Sequence, residues 1–441
     1  MSRPVSMVSV TLLMLVVSPA TAQSVGLDPR ITALLDTVST ERLGQLVTTL
    51  AGFETRNTLS DTASPSRGIG AARRWIFDQF RQASPRLQVG YDEHVIPAGG
   101  RITREVLLRN VVAVLPGRTP RRVYVSGHYD TVARRDTASG LDWTAGNNPA
   151  PGANDDGSGT ALVLELAGVL ARSGIEFDAT LVFIALAGEE QGLIGATRHA
   201  RKAAEEGTAI EAVLNNDIVG GVAAGNGLTD SRTVRVFAEG PEDSPSRQLA
   251  RYIRDVAARY VPSHTVRPLA RHDRFGRGGD HSAFNQVGYP AVRLTEAMEN
   301  YSRQHTVNDT PEGVSPEYLA RNARVNAAAL ASLALAPPAP RVTSATGSPM
   351  LGRGPSGYDA ALRWQPSPGA VGYRVVWREA WAPEWRFGWL IARPDTAAML
   401  PDVSIDDYVF GIVAVGPDGH ESLVAAYINP PRRPPPAPAR P

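Results

Sequence analysis

The chain has 441 residues, with 45 Lys and Arg against 44 Asp and Glu for a formal net charge of +1, and it has no cysteine. That length exceeds what one hydrophobic core usually carries, so at least two domains are expected; the balanced charge gives no case for a nucleic-acid or membrane-surface partner. Without cysteine there is no disulfide, thiolate ligand or cysteine nucleophile, so any metal must be held by His, Asp and Glu.

From the N-terminus, Arg3, the apolar run Val8 to Val17 and the small residues Ala20-Thr21-Ala22 read as a secretory signal over 1–22, cleaved before Gln23. This predicts an exported chain, secreted or periplasmic. The run is too short to cross a bilayer, and no later stretch approaches the ~20 apolar residues of a transmembrane helix, so no integral membrane segment is expected. Pro29 to Ala51 has helical apolar spacing, as does Gly68 to Gln82 through Ala72, Trp75, Ile76 and Phe80. Arg86 to Val95 alternates like a strand. Asn110 to Leu115 and Arg122 to Ser126 are short apolar runs, the second leading into Gly127-His128-Tyr129-Asp130. The segment from Thr131 to Pro151, with Arg134, Arg135 and Trp143, reads either as the rim of a cleft or as a surface insertion.

Pro151-Gly152-Ala153-Asn154-Asp155-Asp156-Gly157-Ser158-Gly159 places three polar side chains in a row between glycines. It opens into an apolar helix from Thr160 to about Arg172, with Leu162, Leu164, Leu166, Val169 and Leu170 on the buried side. An Asp or Asn before a helix is ordinarily an N-cap. A cap needs one oxygen, whereas adjacent carboxylates repel unless a cation or the helix dipole shares them. On this stretch alone a cap and an ion-holding loop both stay open.

Thr180 to Ala187 is almost continuously apolar, as a strand buried on both faces is, and ends in Gly188-Glu189-Glu190-Gln191-Gly192. Ala212 to Asp217, Val234 to Ala238 and Pro290 to Leu294 are further strands, separated by helices near Ile194 to Glu206, Ser244 to Tyr260 and Pro316 to Leu335. The alternation predicts an α/β domain over 23–335 with a mainly parallel central sheet flanked by helices. Ligands of such sheets bind beyond the carboxyl ends of the strands. His128, Glu189, Glu190 and Asp217 all fall at or just past such ends.

Ala336-Pro337-Pro338-Ala339-Pro340 reads as a stiff linker, 336–341. Beyond it come short strands with turns, Ala360 to Trp364, Gly372 to Trp377, Phe387 to Ala392, Tyr408 to Val415 and Leu423 to Tyr427, predicting a small all-β sandwich over 342–429. Trp364, Tyr373-Arg374-Val375-Val376, Leu400 and Asp407-Tyr408-Val409-Phe410 resemble a fibronectin type III module, with Tyr408 at its tyrosine corner. Such a module spaces, anchors or binds a surface or polymer, and small-substrate turnover is expected to survive its removal after Pro340. Pro430 to Pro441 is a Pro/Arg tail.

Each polar residue has an ordinary reading beside the chemical one. A lone histidine such as His128 is most often a plain half-buried residue, but Asp130 two positions on is placed to accept its second ring N–H. Glu189 and Glu190 emerge from a buried run and not from a charged surface face, Asp217 closes a strand at the same edge, and His305 has the weakest local support. Together they offer two imidazoles and several carboxylates, the donors that a pair of divalent cations requires. Asp155, with glycines on both sides that let the backbone turn, is the natural bridge.

Gly127-His128-Tyr129-Asp130, Gly152 to Gly159, Gly188-Glu189-Glu190-Gln191-Gly192, Asp217, and His305-Thr306 with Asp309-Thr310 resemble, in that order over about Asn110 to Ala334, the M28 family of zinc peptidases. The resemblance implies a phosphorylase/hydrolase-like α/β fold and two zinc ions, one on His128, Asp155 and Asp217 and the other on Asp155, Glu190 and His305. It implies Glu189 as general base, Asp130 orienting His128, and a cis peptide after Asp155. The implied substrates are peptides, cleaved foremost by aminopeptidase action, with carboxypeptidase or dipeptidase action as the nearest alternative. Single-zinc glutaminyl cyclases would not need the whole ligand set. From another class comes a catalytically silent binding protein using the β-module, against which an intact Glu189 argues. Gly279-Asp280-His281 stands where relatives often have Ser-Asp-His; His281 reads as a substrate contact, a brace of the site or a structural residue, and the last is expected, since the ligand set is complete without it.

Overall fold

A computed structural model describes residues 26–428 apart from 134, 138–139 and 143–145, so the secretory signal, the Pro/Arg tail, Arg134 and Trp143 lie outside the described residues. The first unit runs α1 (Pro29–Asp36), α2 (Thr40–Ala51), α3 (Gly68–Ala83), β1 (Gln88–Ile96), β2 (Val106–Leu115), β3 (Arg122–His128), β4 (Arg135–Thr137), β5 (Gly140–Asp142) and α4 (Gly157–Arg172). It continues through β6 (Thr180–Leu186), α5 (Ile194–Glu205), β7 (Ile210–Asn216), β8 (Thr233–Ala238), α6 (Pro245–Tyr260), β9 (Thr265–Leu269), α7 (His281–Gln286), β10 (Ala291–Glu296) and α8 (Pro316–Leu335). No helix of the described residues is long and apolar enough to cross a membrane.

Eight strands form one sheet in the order β1-β2-β6-β3-β7-β10-β8-β9. Its centre, β6-β3-β7-β10, is parallel, while β2 and β8 run against their inner neighbours. The strand period of two divides the side chains between two cores. Val123, Val125, Leu181 and Phe183 join α4 and α8 on one face; Tyr124, Val182 and Ile184 meet Ala196, Ala200 and Phe284 of α5 and α7 on the other. Leaving β3, the chain goes through α4 to β6 on one side and later returns to β7 on the other. The crevice at the carboxyl end of β3 is therefore the topological switch point where such sheets take ligands.

Three of the departures from the sequence expectation have a plain physical reason. The single helix expected over Pro29 to Ala51 breaks at Thr37 to Ser39, where the Ser39 hydroxyl caps α2 and the Ser39 N–H donates to the buried carboxylate of Glu165 on α4 (2.8 Å). α4 starts at Gly157 with Asp156 as its cap, and it is buried on every side from Gly157 to Ala171 instead of along one stripe. A Cβ on Gly159 would overlap the Asn216 carbonyl and the Asp156 carboxylate, so glycine is what lets this helix start so deep between β3 and β7. β9 carries Pro268 and closes the sheet as an edge strand, a pattern that hides it from periodicity.

After α8 come β11 (Leu351–Arg353), β12 (Asp359–Arg363), β13 (Gly372–Glu379), β14 (Phe387–Ile391), β15 (Ala397–Ser404), β16 (Tyr408–Val415) and β17 (Ala425–Ala426). They form two antiparallel sheets, β11-β12-β15 and β14-β13-β16-β17, over one core in which Trp364 meets Tyr373 edge-on at 5.3 Å. This second unit is docked, not held off on a spacer. Buried Arg378 pairs with Asp243 (2.5 Å), Trp385 donates to Gln248 of α6 (2.9 Å), Arg254 meets Glu384 (2.6 Å), and Leu423 enters the core of the first unit. At α1, Arg30 pairs with Asp418 (2.7 Å) and His420 with Asp28 (2.9 Å).

Arg378→Ala should therefore destabilise the whole chain by about 2 kcal/mol, the usual cost of removing a buried charge-assisted partner, read as a lower midpoint in chemical denaturation. Hydrogen bonding from Arg30 and His420 holds the Asp28 carboxyl well below its ordinary range. A carboxyl whose folded pKa lies under its unfolded value stabilises fully above the unfolded value of ~3.9 and loses that contribution as pH falls. Between about pH 6 and about pH 3 the wild type should lose more denaturation free energy than Asp28→Asn does.

Candidate metal centre

His128 is the last residue of β3, Asp217 follows β7, Glu189 and Glu190 follow β6, Asp155 lies in the turn before α4, and His305 lies in the loop between β10 and α8. All six were expected at one rim of the sheet, and the fold brings them there. Nε2 of His128 lies 3.3 Å from Oδ1 of Asp155 and 3.8 Å from Oδ1 of Asp217. Nε2 of His305 lies 3.0 Å from Oδ2 of Asp155 and 3.3 Å from Oε2 of Glu190. Among the described residues, two sets offer ligand atoms all within 4.8 Å of one another: His128, Asp155 and Asp217, and Asp155, Glu190 and His305.

The segments that carry these residues are tied together by carboxylates standing behind them. Asp156 accepts the backbone N–H groups of His128 (2.9 Å), Gly159 (2.9 Å) and Ile218 (3.2 Å), joining the ends of β3 and β7 to the start of α4. Asp309 accepts from the N–H groups of Asn154 (3.0 Å) and Asp155 (2.9 Å), which fixes the His305 loop against the Asp155 turn. Asp130 divides its oxygens between the N–H groups of Glu189 (3.1 Å) and Glu190 (3.2 Å). Its backbone carbonyl is nearer to Nδ1 of His128 (3.1 Å) than its carboxylate is (3.6 Å), so orientation of that ring is shared between the two. Fully buried Arg56 donates to the carbonyls of Tyr129 (2.7 Å), Pro151 (2.6 Å) and Gly152 (2.8 Å), clamping the turn to β3. The peptide between Asp155 and Asp156 is cis, and His305 has φ +56.

Sequence reasoning gave no role to Arg56, Asp309, Glu296 or Arg293. Two of them carried a usable signal: Asp309 as part of the motif Asp309-Thr310, and Arg293 as a lone charge inside the apolar run Ala291 to Leu294. His281 is fully buried, its Nε2 pairs with the carbonyl of His272 (2.9 Å), and burial pushes its pKa down to about 4.

Electrostatically, too much negative charge is gathered here for the protein alone. Burial pushes Glu189 up to about 7, with Asp217, Asp130 and Asp155 adding to the rise, even though part of its side chain stays open to solvent. Burial beside Asp155 and Glu189 also raises Glu190 well above the carboxylate range. His128 runs the other way: burial alone would lower it, but Asp130, Asp155 and Asp217 hold it well above its ordinary value. Oδ2 of Asp155, Oε1 of Glu190 and Oδ1 of Asp217 are buried without a directed hydrogen bond. Imidazole nitrogen with carboxylate oxygen is the donor set of zinc. Bonds of ~2.0 to 2.2 Å to one tetrahedral ion put ligand atoms ~3.4 Å apart, close to the separations here. The residues present fit divalent zinc.

Comparison with known proteins agrees. The profile of peptidase family M28 matches residues 110–330. A "Probable zinc metalloprotease" of Pyricularia oryzae is 37% identical over 436 residues, covering 90% of this chain and 84% of that protein. Among solved structures, the LapA aminopeptidase of Legionella pneumophila superposes with a TM-score of 0.56 at 20% identity, covering 72% of this chain and 78% of that one. A glutaminyl cyclase of Porphyromonas gingivalis gives 0.53 at 17%, covering 66% and 97%. At these identities the likeness to the solved structures is one of fold.

Because a ligand that binds only the folded state stabilises it by mass action, stripping metal with a chelator should lower Tm. Zn2+ should restore it, and Mg2+, which prefers all-oxygen octahedral sites, should not, as read by thermal denaturation.

Proposed function

This chain is a zinc metallopeptidase belonging to peptidase family M28, and we propose that it is an exported aminopeptidase that works with two zinc ions. The observation that carries this reading is Asp155, whose two carboxylate oxygens face different histidines, Oδ1 toward His128 (3.3 Å) and Oδ2 toward His305 (3.0 Å). A carboxylate with one oxygen toward each histidine would serve both ions of a two-metal hydrolase. His128 and Asp217 would complete the set on one side of it, Glu190 and His305 on the other.

Zinc bound there supplies Lewis acidity and a water acidic enough to react near neutral pH. The remaining work falls to this chain's own groups. Glu189 takes a proton from the water as its oxygen adds to the scissile carbonyl, and returns that proton to the nitrogen as the C–N bond breaks, giving a free carboxylate and a new amine. Asp130 aims it: one carboxylate holding both the Glu189 and Glu190 N–H groups fixes the turn so that Glu190 faces His305 and Glu189 keeps an open side. Peptides are the substrate class, and residues 1–22 are removed on export. The strand pairing β11-β12-β15 over β14-β13-β16-β17 supports a fibronectin type III-like sandwich for the second unit.

Purified protein should hydrolyse aminoacyl p-nitroanilides and leave their N-blocked analogues intact; cleavage of only the blocked series would overturn the aminopeptidase assignment. Glu189→Gln should keep its zinc by elemental analysis yet lose on the order of 10³-fold in kcat, since an isosteric amide cannot take a proton.

A further inference from the structure

The two proposed ion positions are not electrostatic equals, because a guanidinium stands against one of the ligands. Arg293 lies in the middle of β10, paired in register beside Asn215 of β7, and is fully buried. Its Nη2 lies 3.0 Å from Oδ1 of Asp217, the same oxygen that faces His128. Its Nη1 donates to the carbonyl of Gly278 (2.8 Å) and pairs with Asp273 (3.2 Å). A Cβ on Gly279 would stand 3.2 Å from that Nη1, so the Gly278-Gly279 turn is shaped around the guanidinium.

Arg293 is not free to swing away. Asp273 also holds Arg274 (3.1 Å), Arg274 pairs with Glu299 (2.6 Å), and Glu299 pairs with Arg235 and accepts from Gln304 (3.1 Å), the neighbour of His305. This buried network pins the cation beside Asp217. On the other side, Glu190 Oε2 faces His305, and the nearby Arg101 donates to the Glu190 carbonyl (2.7 Å).

We infer that Arg293 makes the two metal positions unequal, so that the ion at His128, Asp155 and Asp217 is the weaker bound and the last to load. The inference rests on the two-ion reading above. The guanidinium stands 3.0 Å from Asp217 Oδ1 without a directed hydrogen bond to it, so it leaves the lone pair to an ion but places a positive charge next to that ion, in a dry site where charges are poorly screened. Arg293 is a positioning residue for Asp217, not a catalytic one.

The test titrates the metal-free full-length protein with Zn2+ against a chromophoric chelator and counts bound ions. Two ions per chain should load in two stages separated by about tenfold or more, the size usual for a second-layer partner of a metal ligand. Asp217→Asn should abolish the weak stage and keep the tight one; His305→Ala should remove the tight stage and leave only the weak one. Arg293→Met should tighten the weak stage about tenfold without moving the tight one, and Arg293→Lys should fall between. A merely structural role would loosen both stages together. If Arg293→Met does not fold, the order shown by Asp217→Asn and His305→Ala still decides. Two ions of equal affinity, or the reverse order, would overturn this inference and leave the two-ion reading standing; one ion per chain would overturn the two-ion reading itself.

Discussion

Gathering carboxylates into a dry crevice is unfavourable unless each one is given partners, and the rest of the site follows from how this is done. The acidic residues fall into two tiers. Asp155, Glu190 and Asp217 face imidazoles and one another at the front. Behind them, Asp130, Asp156, Asp309 and Glu296 accept backbone N–H groups, Glu296 from Gly221. Each of these bonds joins segments that no helix or strand connects. The back tier thus acts as a set of crosslinks, and the front tier inherits its geometry from them. Burial pushes Asp309 up to about 7 and Glu296 to about 8. A protonated carboxyl still accepts an amide N–H through its carbonyl oxygen, so Glu296, which takes the Asn154 and Gly221 N–H groups on one oxygen, can shed charge without releasing either.

Such crosslinks explain which parts of the site can be read from sequence. A ligand at the end of a buried strand announces itself, because a polar residue directly after an apolar run has few other reasons to be there: His128, Glu189, Glu190 and Asp217 were legible on that ground, and the Asp155 turn through its glycines. The sheet and most helices were legible from periodicity, with α8 and β16 correct to the residue. His305 was legible only through resemblance. Arg56 and Glu296 were not legible at all, and Asp309 was legible only as part of the quoted motif, without a role. Their partners are backbone atoms distant along the chain, such as Asp309 with Asn154 and Arg56 with Pro151, and a backbone partner leaves no trace in residue identity. The break between α1 and α2 was hidden for the same reason, since it is set by Glu165 accepting from the Ser39 N–H.

Whether the stiff linker separates the two units or docks them was not legible, on equally physical grounds. Composition can show that Pro337 to Pro340 is stiff, but stiffness is compatible with either separation or docking. The outcome turns on what the linker packs against. Pro337 lies close over Gly416, the Ala336 carbonyl accepts from Arg121 (2.9 Å), and the Pro338 carbonyl accepts from Ser367 (2.5 Å). Both ends of the segment are held, and Leu423 completes a core that belongs to the first unit.

That docking bears on the site through α6. The helix takes Trp385 of the second unit on Gln248, while its Ser246 hydroxyl donates to the Ala291 carbonyl at the start of β10 (2.6 Å) and accepts from the Glu239 N–H after β8 (2.9 Å). β10 carries Arg293 toward Asp217 and Glu296 toward the Asp155 turn. The β-unit therefore buttresses the helix that fixes the strand behind two of the crosslinks. This continuity is mechanical: it supplies stiffness, and signalling would need a second stable arrangement of α6. A metal site gains from stiffness alone, because ligands held in place before an ion arrives lose little freedom when they bind it.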